Sequence, residues 1–121
     1  MTDIELVELA AKAAGIKYDP KSAKPNPVSG VWFGLWLVFD REPSEYDRRR
    51  WNPLFDDGDA LRLAVKLDMD MEQYAGEVAR IIYEISGHAK TWDEDVTEKQ
   101  DIYAATRRAI VRAAAEIGRT M

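Results

Sequence analysis

WNPLFDDGDALRLAVKL, residues 51–67, is the stretch that decides the fold of this chain. Trp51 and Pro53 predict a rigid turn with the indole as a hydrophobic plug over the core. Three carboxylates follow the turn: Asp56, Asp57 and Asp59. Carboxylates at this place cap a helix and are stabilised by the positive, N-terminal end of its dipole. The helix has one polar stripe, formed by Asp59, Arg62 and Lys66. Its other positions are apolar, which predicts packed layers on more than one side.

Two further helices are predicted near the ends of the chain. The first starts with a capping box, in which Thr2 and Glu5 bond the first-turn amides, and it ends at about Gly15. The last helix runs from Asp101 to about Gly118. It has a core stripe of Ile102, Thr106, Ala109, Ile110, Ala113 and Ile117. A second face carries small side chains, which allow another helix to approach closely: Ala104, Val111, Ala114, Ala115 and Gly118.

Residues 31–39, VWFGLWLVF, have no polar alternation and predict a central strand buried on both faces, with helices on both sides. Residues 68–74 alternate as a half-exposed strand does. Ala75 and Gly76 then turn the chain into residues 77–85, which predicts a hairpin. Residues 19–30, 40–50 and 86–100 are polar and predict loops, with Trp92 on a loop or a short edge strand. The expected fold is α+β, three helices packed on a mainly antiparallel sheet in an α-β-α sandwich, as one domain over residues 1–121.

Composition bounds the function. The net charge of −5 disfavours binding to long nucleic acid, since that affinity comes mainly from phosphate neutralisation. There is no cysteine, which excludes disulfides and cysteine zinc sites. The longest apolar run, residues 31–39, is too short to span a bilayer, and no signal peptide opens the chain. We therefore expect a cytoplasmic protein without membrane contact.

Two motifs carry a resemblance to a known family. WNPLFDDGDALRLAV, residues 51–65, and ATRRAIVRAAAEIG, residues 105–118, resemble the phage α-β-α sandwich domain family, and residues 6–15 are similar to its first helix. The family consists of small proteins of phages and prophages. The architecture is also similar to that of the Thoeris anti-defence proteins. That similarity implies a bacterial host cytoplasm and a phage protein that sequesters a cyclic ADP-ribose-type signal, or a cyclic oligonucleotide, without cleaving it.

A cyclic nucleotide needs guanidinium groups for its phosphates and an aromatic platform for its base. Arg108 and Arg112, one turn apart on one face of the last helix, are the predicted phosphate clamp. The complete set of predicted ligand-binding residues is Arg108, Arg112, Tyr103, Trp92, Tyr83 and Arg107. The small-residue face of the same helix favours self-association, so we expect a homo-oligomer with a pocket formed by its subunits. The alternative for the arginines is a solvated stripe paired with Glu116 and strand carboxylates.

Other polar groups have ordinary structural explanations. Asp56, Asp57 and Asp59 are carboxylates of the kind that holds Mg²⁺ or Ca²⁺, yet no calcium-loop spacing follows them and helix capping accounts for them. No metal or cofactor is therefore expected. Arg48 to Arg50 either border an anion site or are solvated beside the neighbouring acids. His88 is expected to be an exposed loop residue.

The chain has few of the residue patterns that are typical of catalytic sites. The chain lacks a cysteine nucleophile, a glycine-rich phosphate loop and a serine elbow, and its single histidine has no predictable partner. A hydrolase that uses carboxylates is the enzymatic alternative that remains, because the sequence does not give the distances between the carboxylates. We expect a non-enzymatic binding protein. The alternative is a phage accessory protein that contacts a host factor through its acidic surface.

Overall fold

The computed structural model describes residues 1–39, 49–97 and 100–121. Three α-helices and five short strands follow in chain order: α1 Asp3–Ala14, β1 Leu35–Trp36, β2 Arg50–Trp51, α2 Asp57–Lys66, β3 Asp70–Tyr74, β4 Val78–Ile85, β5 His88–Asp95 and α3 Ile102–Arg119. A 3-10 turn, Pro20–Ser22, precedes β1. The strands form two antiparallel sheets, β1-β2 and β3-β4-β5. The predicted α+β class, with three helices on antiparallel sheet, is confirmed.

The helix boundaries follow from local capping. Thr2 and Glu5 form the predicted capping box of α1, and Gly15 ends this helix in the left-handed conformation at φ 68°. Asp56 caps α2 by accepting a 2.8 Å hydrogen bond from the Asp59 amide. Asp101 caps α3 in the same way, through the amide of Ala104. All three starts could therefore be predicted from short polar side chains ahead of an apolar segment.

The predicted central strand at residues 31–39 is wrong. Only Leu35–Trp36 forms a ladder, with Arg50–Trp51 as its partner. Gly34 has a φ of 127°, and a Cβ there would lie 2.7 Å from the Trp51 carbonyl oxygen, so the chain bends away from a regular strand at this glycine. The run also lies at the surface, where several of its large apolar side chains are exposed: Val31, Phe33, Trp36 and Val38.

The predicted hairpin is confirmed, and it continues into a third strand. β4 pairs with β3 on one side and with β5 on the other. Ala79, Ile81 and Tyr83 are buried on the inner face of β4, in agreement with the predicted alternation. All of β5 lies in the segment predicted as a loop, residues 86–100, because its polar side chains obscure the period of two on an edge strand.

α3 is the most deeply packed element. It packs against β4 and β5, and also against α1 and α2. α1 runs in the same direction as α3: Arg108 contacts Asp3, Gly118 lies against Leu9, and Lys12 bonds the Met121 carbonyl. The small-residue face of α3 is therefore covered by α1 of the same chain. This packing is the close helix contact predicted from the sequence, and the small-residue face is not open to a second copy.

α2 is less buried than its composition predicted. Ala60, Leu63 and Ala64 are in the core, whereas Leu61 and Val65 are exposed. Asp59, assigned to the polar stripe, is 1% exposed. Trp51 is buried as the predicted plug. Across the described ranges, no helix has the length and apolar character needed to cross a membrane.

Candidate binding site

An open cleft of about 560 Å³ lies where α2, β3 and α3 meet. Its volume falls within the range of roughly 300–1,000 Å³ that is typical of ligand pockets. Apolar side chains from all three elements contribute to its lining: Ala60, Leu61, Met71, Ile102 and Ile110. Polar side chains complete it: Asp57, Glu72, Gln73, Tyr103, Thr106 and Arg107. Two of the six predicted ligand-binding residues, Tyr103 and Arg107, are among them.

Arg107 is held in place by two hydrogen bonds. Its Nε donates to the Leu54 carbonyl at 2.8 Å, and one terminal nitrogen donates to Asp57 Oδ1 at 2.7 Å. The side chain is only 19% exposed. A guanidinium carries five N–H donors, so these bonds fix the group and leave donors for a ligand. Arg107 is therefore the oriented cation of the cleft.

Tyr103 provides the aromatic surface. It lies in the first turn of α3, one turn before Arg107, and is 68% exposed. A phenol ring beside a guanidinium suits a planar group that carries a negative charge next to it. The spacing of four residues on one helix brings the two side chains together.

Further hydrogen-bond acceptors line the cleft. Asp57 comes from α2 beside Arg107, and Gln73 comes from the exposed strand β3. Glu72 also lines the cleft, but its register opposite Arg80 places its side chain on the outward face of the sheet. Glu72 also accepts a short hydrogen bond from the Tyr74 hydroxyl. Carboxylate and amide oxygens suit sugar hydroxyls and the exocyclic amine of a base. Sequence analysis missed these three residues. The alternation of residues 68–74 predicted a half-exposed strand, whereas every residue of β3 is exposed, and it did not predict which helix the strand would face.

Arg112 lies outside this cleft. Its Nε is 2.8 Å from Glu94 Oε1 without an aligned hydrogen bond, and its guanidinium carbon is 5.5 Å from the centre of the Trp92 ring. Trp92 Nε1 donates to the same Glu94 oxygen at 2.9 Å. Trp92 pairs with Ile81 in the ladder, so it lies on the sheet face that packs on α3. Arg112 and Trp92 are brought together, but as a contact between helix and edge strand.

Arg108 pairs with a carboxylate outside the cleft. Both of its terminal nitrogens donate to Asp3 Oδ1, at 3.1 and 2.9 Å. Arg108 and Arg112 therefore bind separate carboxylates, on α1 and β5, and do not face one cavity together. Arg119 pairs with Glu116 at 3.1 Å. The Arg112–Glu94 ion pair matches the alternative in which the clamp arginines pair with strand carboxylates, whereas Arg108 pairs with a carboxylate of α1.

Tyr83 is a core residue. It is 5% exposed on the inner face of β4 and does not line the cleft. Burial, with a smaller contribution from the charge of Glu116, raises the pKa of its hydroxyl above the ordinary value. This tyrosine therefore stays neutral and contributes to packing, and it offers no stacking surface.

The remaining polar predictions have mixed outcomes. Asp56 caps α2 as expected, whereas Asp59 is buried behind the turn and bonds Arg49, Arg62 and the Asn52 amide. Arg48 lies outside the described residues. His88 is exposed, as predicted, but begins β5 rather than lying in a loop. Within residues 1–39, 49–97 and 100–121, no group of three or more His, Cys, Asp or Glu side chains is arranged to hold a metal ion.

Comparison of the chain with protein-family models, curated proteins and solved structures finds no match.

Proposed function

We propose that the protein captures a small cyclic nucleotide signal of the cyclic ADP-ribose type, or a cyclic oligonucleotide, without cleaving it, as a phage anti-defence protein in the bacterial cytoplasm. The cleft between α2, β3 and α3 is the proposed binding site. The observation that carries the proposal is the placement of Tyr103 and Arg107 side by side in a cleft of about 560 Å³. The resemblance of residues 51–65 and 105–118 to the phage α-β-α sandwich family supports a phage protein, and the similarity of the architecture to the Thoeris anti-defence proteins supports signal capture.

The chemistry of the cleft suits each part of such a ligand. Tyr103 offers a stacking surface for a purine, and the apolar lining of the cleft shields the bound purine from water. Asp57 and Gln73 accept hydrogen bonds from ribose hydroxyls and from the base. Arg107 binds a phosphate oxygen with the N–H donors that Leu54 and Asp57 leave unused.

The charge balance of the cleft favours a site completed by a second copy. The guanidinium of Arg107 is already paired with the Asp57 carboxylate, whereas a pyrophosphate carries two negative charges. Further cations are therefore needed around the phosphates. The proposal includes a homo-oligomer in which the neighbouring copy supplies them. Sequestration acts by mass action, so the dissociation constant must lie below the working concentration of the signal.

The test is a binding and recovery experiment on the full chain. Isothermal titration calorimetry with cyclic ADP-ribose isomers and cyclic dinucleotides is expected to show saturable binding of at least one. Arg107→Gln is expected to weaken it about tenfold or more, because a charge-assisted hydrogen bond contributes roughly 1.5–3 kcal/mol. Arg119→Gln is the matched control, since Arg119 lies at the far end of α3 and pairs with Glu116.

After binding, the complex is heat-denatured and the nucleotide is analysed by mass spectrometry. Recovery of the intact ligand is the expected result. Recovery of a cleaved product would mean a hydrolase. Absence of binding to every nucleotide tested would end the proposal.

A second candidate is a protein that acts through contacts with a host factor. The outward face of the β3-β4-β5 sheet favours it, because exposed acids lie there around one arginine, Arg80: Asp70, Glu72, Glu84, Asp93 and Asp95. Arg80 forms a two-point ion pair with Asp93, which lowers the pKa of that carboxyl. A stoichiometric host protein that co-purifies equally with the wild type and with Arg107→Gln would support this candidate.

A further inference from the structure

A second pocket, of about 290 Å³, lies on another side of α2. The end of α1, residues 37–39, residues 49–51 and α2 surround it. Its apolar lining consists of Ala14, Ile16, Leu37, Val38, Phe39, Trp51 and Leu63. Every other lining residue is a cation: Lys17, Arg49, Arg62 and Lys66.

The concentration of positive charge at this pocket is unusual for an acidic chain. Four cations line it, and no carboxylate is among the described residues that form its wall. The net charge of the whole chain is −5. Asp59 offsets part of the charge of Arg49 and Arg62, and an anion in the pocket offsets part of what remains. The local charge therefore selects an anionic ligand.

Asp59 lies buried behind two of these cations. Its Oδ1 accepts hydrogen bonds from Arg49 at 2.6 Å and from Arg62 at 2.9 Å, and its Oδ2 accepts from the Asn52 amide at 3.0 Å. One carboxylate thus holds two guanidiniums near a single point. Each guanidinium uses one N–H for Asp59, and their side chains remain 45% and 63% exposed. The remaining donors of both groups are available to one ligand.

The two lysines extend the same cationic surface. Lys66 follows Arg62 by four residues, which places both side chains on one face of α2. Lys17 lies across the pocket, where its carbonyl accepts a 3.0 Å hydrogen bond from the Val38 amide and so fixes the main chain at the rim. Cations from residue 17, residue 49 and α2 therefore line the pocket from separate segments of the chain.

We propose that this pocket binds a phosphate group, as inorganic phosphate or as a phosphate monoester. Guanidinium groups match the geometry of phosphate oxygens, and paired arginines with nearby lysines are the side chains that bind phosphate most strongly. The volume lies at the lower limit of ordinary ligand pockets, which suits a phosphate or a small phosphate ester rather than a cyclic dinucleotide. The site is separate from the cleft of Tyr103 and Arg107, and the inference does not depend on the proposed function.

The test titrates the full chain at low ionic strength with inorganic phosphate and, in a separate arm, with adenosine monophosphate. Calorimetry is expected to show saturable binding with one site per chain. Lys66→Gln is expected to weaken it about tenfold, because it removes one charge-assisted contact from an exposed position. Lys90→Gln makes the same charge change on β5, a strand that contributes no residue to the pocket, and is expected to leave affinity unchanged.

A second measurement locates the site without a variant. Amide NMR shifts are expected to move at Lys17, Leu63 and Lys66 during the phosphate titration, and to stay constant at Tyr103 and Arg107. Tighter binding of the monophosphate would identify an ester as the ligand, whereas equal affinity would identify the phosphate group alone. No saturable binding of either anion, or equal weakening by Lys66→Gln and Lys90→Gln, would overturn the inference. Arg107→Gln should not affect this titration, so failure here is distinguishable from failure of nucleotide capture.

Discussion

Asp59 shows how much one buried carboxylate can organise. It is 1% exposed and receives hydrogen bonds from two arginines and one amide. Burial alone would raise its pKa. The bonds from Arg49, the Asn52 amide and Arg62 outweigh burial and lower the pKa below the ordinary value. The residue therefore stays ionised, joins α2 to the turn that precedes it, and orients both guanidiniums.

Asp59→Asn is expected to lower the free energy of unfolding by about 2–3 kcal/mol at pH 7, because it leaves two guanidiniums without their carboxylate. Since the folded-state pKa is depressed, the stabilisation is present above the unfolded pKa of about 4 and is lost as pH falls through the folded value. The difference between wild type and variant should therefore shrink below about pH 4. Urea unfolding at several pH values measures this. Asp95→Asn, an exposed matched change on β5, should have little effect, and equal losses for both variants would contradict the assignment.

At the scale of elements, α3 combines two different faces. One face packs on the sheet, and the other is small enough for α1 to approach with backbone contact. Gly118 marks the closest point, where an added Cβ would overlap the Leu9 carbonyl. Backbone atoms cannot move aside as a flexible side chain can, so a methyl group here must separate the helices.

Gly118→Ala is expected to destabilise the protein by about 1–3 kcal/mol, although alanine favours a helix by roughly 1 kcal/mol over glycine. Gly58→Ala in α2 is the matched control. The nearest atoms to its added Cβ belong to the side chains of Arg62 and Asp56, at 3.1 Å, and side chains can shift, so its loss of stability should be smaller than that of Gly118→Ala. Thermal unfolding of both variants measures the difference. A Gly118→Ala protein as stable as the wild type would show that α1 and α3 are farther apart.

At the scale of the whole molecule, the surface open to a second copy is not the one expected from sequence. α1 covers the small-residue face of α3. The strip formed by Val31, Phe33, Trp36 and Val38 is exposed instead, and Arg50 stacks over the Trp36 ring at 4.6 Å. Exposed apolar surface of this kind favours association. We therefore expect the proposed homo-oligomer to form through this strip.

Phe33→Ser is expected to shift the protein toward the monomer mass of 13.8 kDa in light scattering coupled to size exclusion. Phe33 is 63% exposed, so the change removes apolar contact between copies without opening the core. Phe55→Ser, at a 76% exposed position before α2, is the control and should leave the mass unchanged. A wild-type protein that runs as a monomer would contradict the expected assembly.

The sequence by itself determined the features that depend on neighbours along the chain. Capping side chains ahead of apolar segments predicted the starts of α1 and α2, the helical period of apolar residues predicted α3, and alternation predicted the β3-β4 hairpin. The predicted ligand-binding set contained Tyr103 and Arg107, but the phosphate clamp was predicted at Arg108 and Arg112, which share a helix face. These features are local, so each is decided by interactions within a few residues.

Only the tertiary structure decided which side chains meet across elements. Arg108 and Arg112 share a face of α3, yet Asp3 and Glu94 approach them from α1 and β5 and separate their roles. Residues 31–39 have the composition of a buried strand, but close approach of Gly34 to Trp51 bends them at the surface. The second pocket gathers Lys17, Arg49, Arg62 and Lys66 from distant parts of the chain. Such contacts depend on how helices and sheets pack, and residue order alone does not encode those distances.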